Sequence, residues 1–186
     1  MSLARYLASL LNSSGQVPDA KLVALTASKL SGQVPDANAP SGSVIQVVSG
    51  YNSGRITTNA TSFSSLRTSP SITPLSTNSK ILVLMQTSIF RDGANGNAYF
   101  AVYRNGSTSL IGAGSDENAG WWNDYSSYTF GQWTFACVDS PSTTSSINYQ
   151  LMARADGPTV TAGISGRGQD TYHKNGVNWT LLEIAA

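Results

Sequence analysis

The sequence predicts an all-β head, a β-sandwich or jelly roll, carried on a short N-terminal stem. Three observations lead there. From residue 43 onward apolar residues recur in short runs of strand length, without helical spacing. Turn residues punctuate those runs at Asp92-Gly93, Asn105-Gly106, Asp156-Gly157-Pro158 and Asn175-Gly176, and Asn-Gly favours the positive φ angles of tight hairpins. Ser, Thr and Asn fill roughly 30% of positions; they compete locally for backbone hydrogen bonds, which disfavours helix interiors. Strands are expected at residues 43–49, 55–57, 61–68, 79–90, 98–104, 109–112, 127–138, 145–154, 159–164 and 177–185. Short strands in this number, with no helix between them, form a sandwich or a jelly roll.

At 186 residues the chain holds one domain and an appendage, with 40% apolar residues to fill one core. Only 11% of residues are charged and the net charge is +1. The basic residues are scattered, so the clustered Lys and Arg that displace counterions from nucleic acid are missing. The longest apolar run, Ile81-Leu82-Val83-Leu84-Met85, is far shorter than a bilayer span. No nucleic-acid partner and no membrane insertion are therefore expected. Residues 1–11 have interrupted apolar residues and no small-residue cleavage site, unlike a signal peptide. Cys137 is the one cysteine, which excludes an intrachain disulfide; within Trp133-Phe135-Cys137 it reads as a small buried hydrophobe.

The stem is expected at residues 1–42 and the head at 43–186. Leu3, Leu7, Leu10 and Leu11 recur at helical spacing and give one apolar stripe. A helix this short is marginal alone and gains stability by pairing its stripe. Ser14-Gly15-Gln16-Val17-Pro18-Asp19-Ala20 then returns as Ser31-Gly32-Gln33-Val34-Pro35-Asp36-Ala37. Repeated units of this kind cannot bury their apolar side alone. Three chains about a common axis bury Val17, Leu22, Leu25, Leu30 and Val34 against their equivalents, so the stem is expected to trimerise the chain or attach it to other proteins. A flexible linker is the alternative, against which the regular leucines argue. Pro40-Ser41-Gly42 marks the boundary.

Two expected head strands are apolar on both alternating faces: Ile81, Val83 and Met85 opposite Leu82 and Leu84, and Tyr99 and Tyr103 opposite Phe100 and Val102. A sandwich strand ordinarily shows one face to water. With no helix to cover the second face, a subunit interface is expected to do so.

Ser41-Gly42-Ser43-Val44-Ile45-Gln46-Val47-Val48, Ser71-Ile72-Thr73-Pro74-Leu75-Ser76-Thr77-Asn78-Ser79-Lys80-Ile81-Leu82-Val83, Asp139-Ser140-Pro141-Ser142-Thr143-Thr144-Ser145 and Leu181-Leu182-Glu183-Ile184-Ala185 together resemble the C-terminal domains of phage tail fibre and virion structural proteins, notably those of cyanophages. The resemblance spans essentially the whole chain, and its motifs are structural rather than chemical. It implies a homotrimeric jelly-roll-like sandwich of tumour-necrosis-factor-like or complement-C1q-like form, in a virion component assembled in the host cytoplasm. It implies also that the stem joins other virion proteins. The stem is much shorter than in long fibres, which leaves a host-contacting tip, a baseplate or collar adaptor and a capsid fibre or cement protein as alternatives.

No catalytic constellation stands out, and no cofactor or metal is expected. His173, the one histidine, lies in a polar loop, and with one cysteine a multi-ligand zinc site within one chain is excluded. The most distinctive stretch is Asp116-Glu117-Asn118-Ala119-Gly120-Trp121-Trp122-Asn123-Asp124-Tyr125. Aromatic faces stack on sugar rings while neighbouring carboxylates and amides bond hydroxyls, so Trp121, Trp122, Asn123, Asp124 and Tyr125 are candidate contacts for a host-surface polysaccharide or receptor. Such a tryptophan pair serves equally as a subunit contact or a loop anchor. Paired carboxylates can also cleave glycosides, but polysaccharide-cleaving spikes use a β-solenoid longer than this chain can form. A non-enzymatic protein is expected.

Overall fold

The computed structural model describes residues 39–93, 96–105, 110–112, 119–122, 128–157, 160–164 and 176–186, with the backbone alone at 119–122 and 128. The chain divides between Asn38 and Ala39. The expected stem residues Leu3, Leu7, Leu10, Leu11, Val17, Leu22, Leu25, Leu30 and Val34 lie outside the described residues.

Among the described residues the fold is all-β, and every ladder is antiparallel. The strands are β1 (Val44–Asn52), β2 (Ile56–Thr58), β3 (Ser64–Thr68), β4 (Lys80–Asp92), β5 (Asn97–Arg104), β6 (Ala119–Trp122), β7 (Tyr128–Asp139), β8 (Tyr149–Asp156), β9 (Thr161–Ile164) and β10 (Val177–Ile184). They match the expected positions closely, with two differences. Of the expected strand at 109–112, the described residues 110–112 contribute an isolated bridge between Leu110 and Tyr103. Ala119–Trp122, expected as loop, is instead a short strand on β5.

The strands form two sheets that share one core. In the first, β4 runs through the middle and pairs with β7 along nearly its whole length. Its other edge is divided: β10 pairs with Lys80–Gln86 and β9 with Ile89–Asp92, and β1 and β2 lie outside them on β10 and β9. The second sheet has the order β3-β8-β5-β6. From β2 to β9 the chain changes sheet at every connection except that from β5 to β6. Glycines serve the tight turns where φ must be positive, as at Gly93 (φ 107°) after β4 and Gly157 (φ 126°) after β8.

Period-two alternation fixes which side of each strand is buried. Val177, Trp179 and Leu181 of β10 point inward while Asn178, Thr180 and Leu182 point out. In β8, Tyr149, Leu151, Ala153 and Ala155 are fully buried. Ile81, Val83 and Met85 of β4 face Phe100, Val102 and Leu151 of the second sheet within one cluster, where each large apolar side chain contributes about 1.5–3 kcal/mol by leaving water. Ile72 and Ile147 close the core from two loops, paired backbone to backbone at 2.8 and 2.9 Å.

Candidate functional site

The most distinctive surface is the outer face of the first sheet. Register brings Val47, Leu182, Leu82 and Val138 into one row across β1, β10, β4 and β7. Val47 is 59% exposed and Val138 52%; Leu82 and Leu182 are half-buried. The next row is Ser49, Thr180, Leu84 and Ala136, with Leu84 exposed. Val44, exposed, and Ile184 continue the apolar surface on the other side. No described side chain of this subunit covers the row. The doubly apolar β4 expected from the sequence thus has one face in the core and the other open.

The same expectation for β5 has a different outcome. Tyr99 and Tyr103 lie on the outer face of the second sheet, and this subunit covers them itself. The Arg154 guanidinium lies over the Tyr99 ring at 4.0 Å and over Phe63 at 5.5 Å, and Phe63 meets Tyr103 edge-on at 5.7 Å. Asn97 donates from its amide to the Tyr99 hydroxyl at 3.0 Å. These contacts cover part of the aromatic outer face of β5 from within the chain.

The backbone of the tryptophan pair lies on β6, paired with β5. Trp121 is in register with Ala98, a core position, and Trp122 with Asn97 on the outer face. β6 is the edge strand of its sheet. Asn123, Asp124 and Tyr125, like Asp116, Glu117 and His173, lie outside the described residues.

An ion pair joins the two sheets at the end where the chain comes in. One guanidinium nitrogen of Arg104 donates to both Asp139 carboxylate oxygens, at 3.0 and 2.9 Å. The buried Tyr149 hydroxyl donates to Asp139 Oδ2 at 2.9 Å. Ser69 holds Tyr149 in place: its hydroxyl accepts from the Tyr149 N–H at 2.9 Å, and its own N–H donates to the Tyr149 carbonyl at 2.8 Å. Burial, then the Asp139 charge and hydrogen bond, push the Tyr149 phenol well above the usual tyrosine range, against a smaller opposing effect of Arg104. Cys137 is half-buried against the core rather than fully within it. Burial and then Asp139 raise its thiol as well, which keeps it protonated and a weak nucleophile. Sequence reading missed this triad, since its members sit on three strands of two sheets and form no local motif.

Glu183 is fully buried at the inward-facing end of β10, where its carboxylate accepts the Leu75 N–H at 2.7 Å. Gln46, with its amide oriented to satisfy both groups, donates to the other carboxylate oxygen at 3.1 Å. Asp139 therefore ties strands of the two sheets together, and Glu183 anchors the loop at Leu75. Among the described residues no three His, Cys, Asp or Glu side chains could hold a metal ion, and no helix is long and apolar enough to cross a membrane. No protein-family model matches the chain, and no curated protein matches it.

Proposed function

We propose that this protein is a structural subunit of a bacteriophage particle, a short-stemmed, fibre-like homotrimer whose heads associate through the outer face of the first sheet. The observation that carries the assembly is the row Val47, Leu182, Leu82 and Val138, which crosses four strands without cover. An apolar patch rimmed by polar residues is what subunit contacts bury. The strand order supports the head type: β1-β10-β4-β7 facing β3-β8-β5-β6 is the pairing of a jelly roll of tumour-necrosis-factor-like or complement-C1q-like form, with β2 and β9 as an added pair. The placement in a phage particle rests on the sequence resemblance, with residues 1–42 as the attachment to other virion proteins. Arg104, Asp139, Tyr149 and Glu183 are all engaged in holding the fold together, in keeping with a non-enzymatic role.

Light scattering on the purified full chain tests the assembly. The expected mass is that of three chains at micromolar concentration, falling to one chain in Val47→Glu/Val138→Glu. Because both positions are more than half exposed in the single subunit, the variant keeps its β-sheet circular dichroism. A wild-type monomer at micromolar concentration overturns the proposal. Host-cell adsorption by the wild-type head separates a host-contacting fibre from a capsid, cement or baseplate protein, which does not adsorb.

A further inference from the structure

The outer face of the first sheet changes character along its strands. Beyond the apolar row and the Leu84 row comes a polar one: Tyr51, Asn178, Gln86 and Thr134. There the face opens into a cavity of about 500 Å³ lined by Tyr51, Gln86, Thr87, Ser88, Gln132, Gly176 and Asn178. The topology creates it. β10 pairs with β4 as far as Gln86 and β9 takes over at Ile89, so among the described residues Thr87 and Ser88 have no ladder neighbour on that edge. The volume lies within the range of about 300–1,000 Å³ typical of small-molecule sites.

Its floor and rim differ. Thr87, Ser88 and Gly176 are buried, whereas Tyr51, Gln86, Gln132 and Asn178 are exposed. The Thr87 hydroxyl donates to the Gly176 carbonyl at 3.2 Å. Any side chain at Gly176 meets the Asn52 carbonyl oxygen and comes within 2.6 Å of the Tyr51 ring, so the close approach of that ring to the backbone here requires glycine. The Ser88 hydroxyl is buried and has no hydrogen-bond partner among the described residues. An unsatisfied buried group of this kind costs about 1–3 kcal/mol.

The lining selects one kind of ligand. The described lining side chains are all neutral, so they offer a charged ligand no counter-charge for the hydration it loses. An apolar ligand strips water from three amides and returns no hydrogen bonds. A sugar hydroxyl both donates and accepts, as do the amides of Gln86, Gln132 and Asn178 and the hydroxyl of Ser88. The Tyr51 ring offers an apolar face to the C–H face of a pyranose.

We propose that this cavity binds a neutral polyhydroxyl ligand, a hexose unit supplied either as a free sugar or within a polysaccharide. The site goes beyond the assembly reading: its described lining residues belong to one chain and lie two rows away from the apolar row on the same face. It lies at the far end of the sheet from the point where the chain comes in, which Gly42 marks by its hydrogen bond to the Ala185 carbonyl.

Saturation-transfer NMR on the full chain tests it, with methyl α-glucoside, methyl β-galactoside and N-acetylglucosamine as neutral probes and glucosamine and glucuronate as charged controls. Transfer to at least one neutral probe is expected, with about tenfold weaker binding of its charged counterpart. Ser88→Ala is expected to weaken binding about tenfold, the loss of one hydrogen bond to a ligand. Gln86→Ala/Asn178→Ala, at exposed positions facing each other in register, is expected to abolish it with the folded spectrum intact. Displacement of the bound probe by dextran shows the unit to be taken from a polymer, and displacement by free glucose alone shows a free sugar; either source satisfies the proposal. No transfer to any neutral probe, or equal transfer in wild type and Gln86→Ala/Asn178→Ala, overturns it. Retained binding in monomeric Val47→Glu/Val138→Glu shows that the site stands apart from the assembly.

Discussion

The Tyr149 hydroxyl and the Asp139 carboxylate, 2.9 Å apart, fasten β8 of one sheet to β7 of the other. Arg104 on β5 reaches the same carboxylate from its own strand, so one acidic group gathers three strands. Tyr149→Phe leaves Asp139 bonded to Arg104 and creates no orphan donor, and is expected to cost about 1–2 kcal/mol. Asp139→Ala strands the buried phenol hydroxyl and is expected to cost more, about 2–4 kcal/mol. Urea unfolding of the two variants checks the ordering; a larger loss for Tyr149→Phe contradicts it.

The same pair sets an alkaline limit. An unfolded tyrosine ionises near pH 10, whereas folded Tyr149 holds its proton well above that. Above about pH 10 the folded state therefore binds more protons than the unfolded one, and stability falls as pH rises. Below that pH the contribution is fully present. Cys137, raised from 9.0, adds an effect of the same sign that begins about one pH unit lower. The stability difference between wild type and Tyr149→Phe is expected to shrink as pH passes 10, read from urea midpoints at pH 8 to 11. A constant difference refutes the assignment.

Gly163 and Phe90 stand opposite each other across β9 and β4. A Cβ on Gly163 comes within 2.6 Å of two Phe90 ring atoms and 2.8 Å of the Ile56 carbonyl oxygen. The ring is fully buried, with the Arg55 guanidinium 5.0 Å from its centre, so it has little room to yield. Gly163→Ala is expected to destabilise by about 1–3 kcal/mol. In a Phe90→Leu background the same substitution is expected to cost less, because the ring is the larger obstacle. A double-mutant cycle by thermal unfolding measures the coupling, and additive costs count against the clash.

Linkage gives the proposed assembly a second signature besides mass. If the row from Val47 to Val138 is buried between subunits, association stabilises the folded state by mass action. The wild-type melting temperature is then expected to rise with protein concentration, and that of Val47→Glu/Val138→Glu to stay constant. Scanning calorimetry over a hundredfold concentration range decides it.

Much of the head was legible from alternation alone. Ile81, Val83 and Met85, and Leu151, Ala153 and Ala155, announce their strands because one side of each must be buried. Ala119-Gly120-Trp121-Trp122 does not alternate and carries a glycine, so its pairing with β5 depends on a neighbour strand that local reading does not see. Conversely, residues 110–112 carry strand-like apolar residues, and among the described residues they show the Leu110 bridge alone. Doubly apolar strands carry one signal with two causes. Leu82 and Leu84 are open, whereas Tyr99 and Tyr103 are covered by Phe63 and Arg154 from distant parts of the chain. The cavity beside Ser88 was not legible at all, because it arises where two strands share one edge of β4.

The pairing of β1 with β10 has a consequence for the order of events during synthesis. The first strand of the head finds its partner only in the last one, and β10 is also what joins β1 to β4. A ribosome-bound chain lacking β10 holds an incomplete first sheet, with β1 unpaired and the core left without Trp179 and Leu181. Contacts between such remote segments are slow to form, on the order of milliseconds to seconds. The row that spans β1, β10, β4 and β7 comes into existence only when that last strand docks.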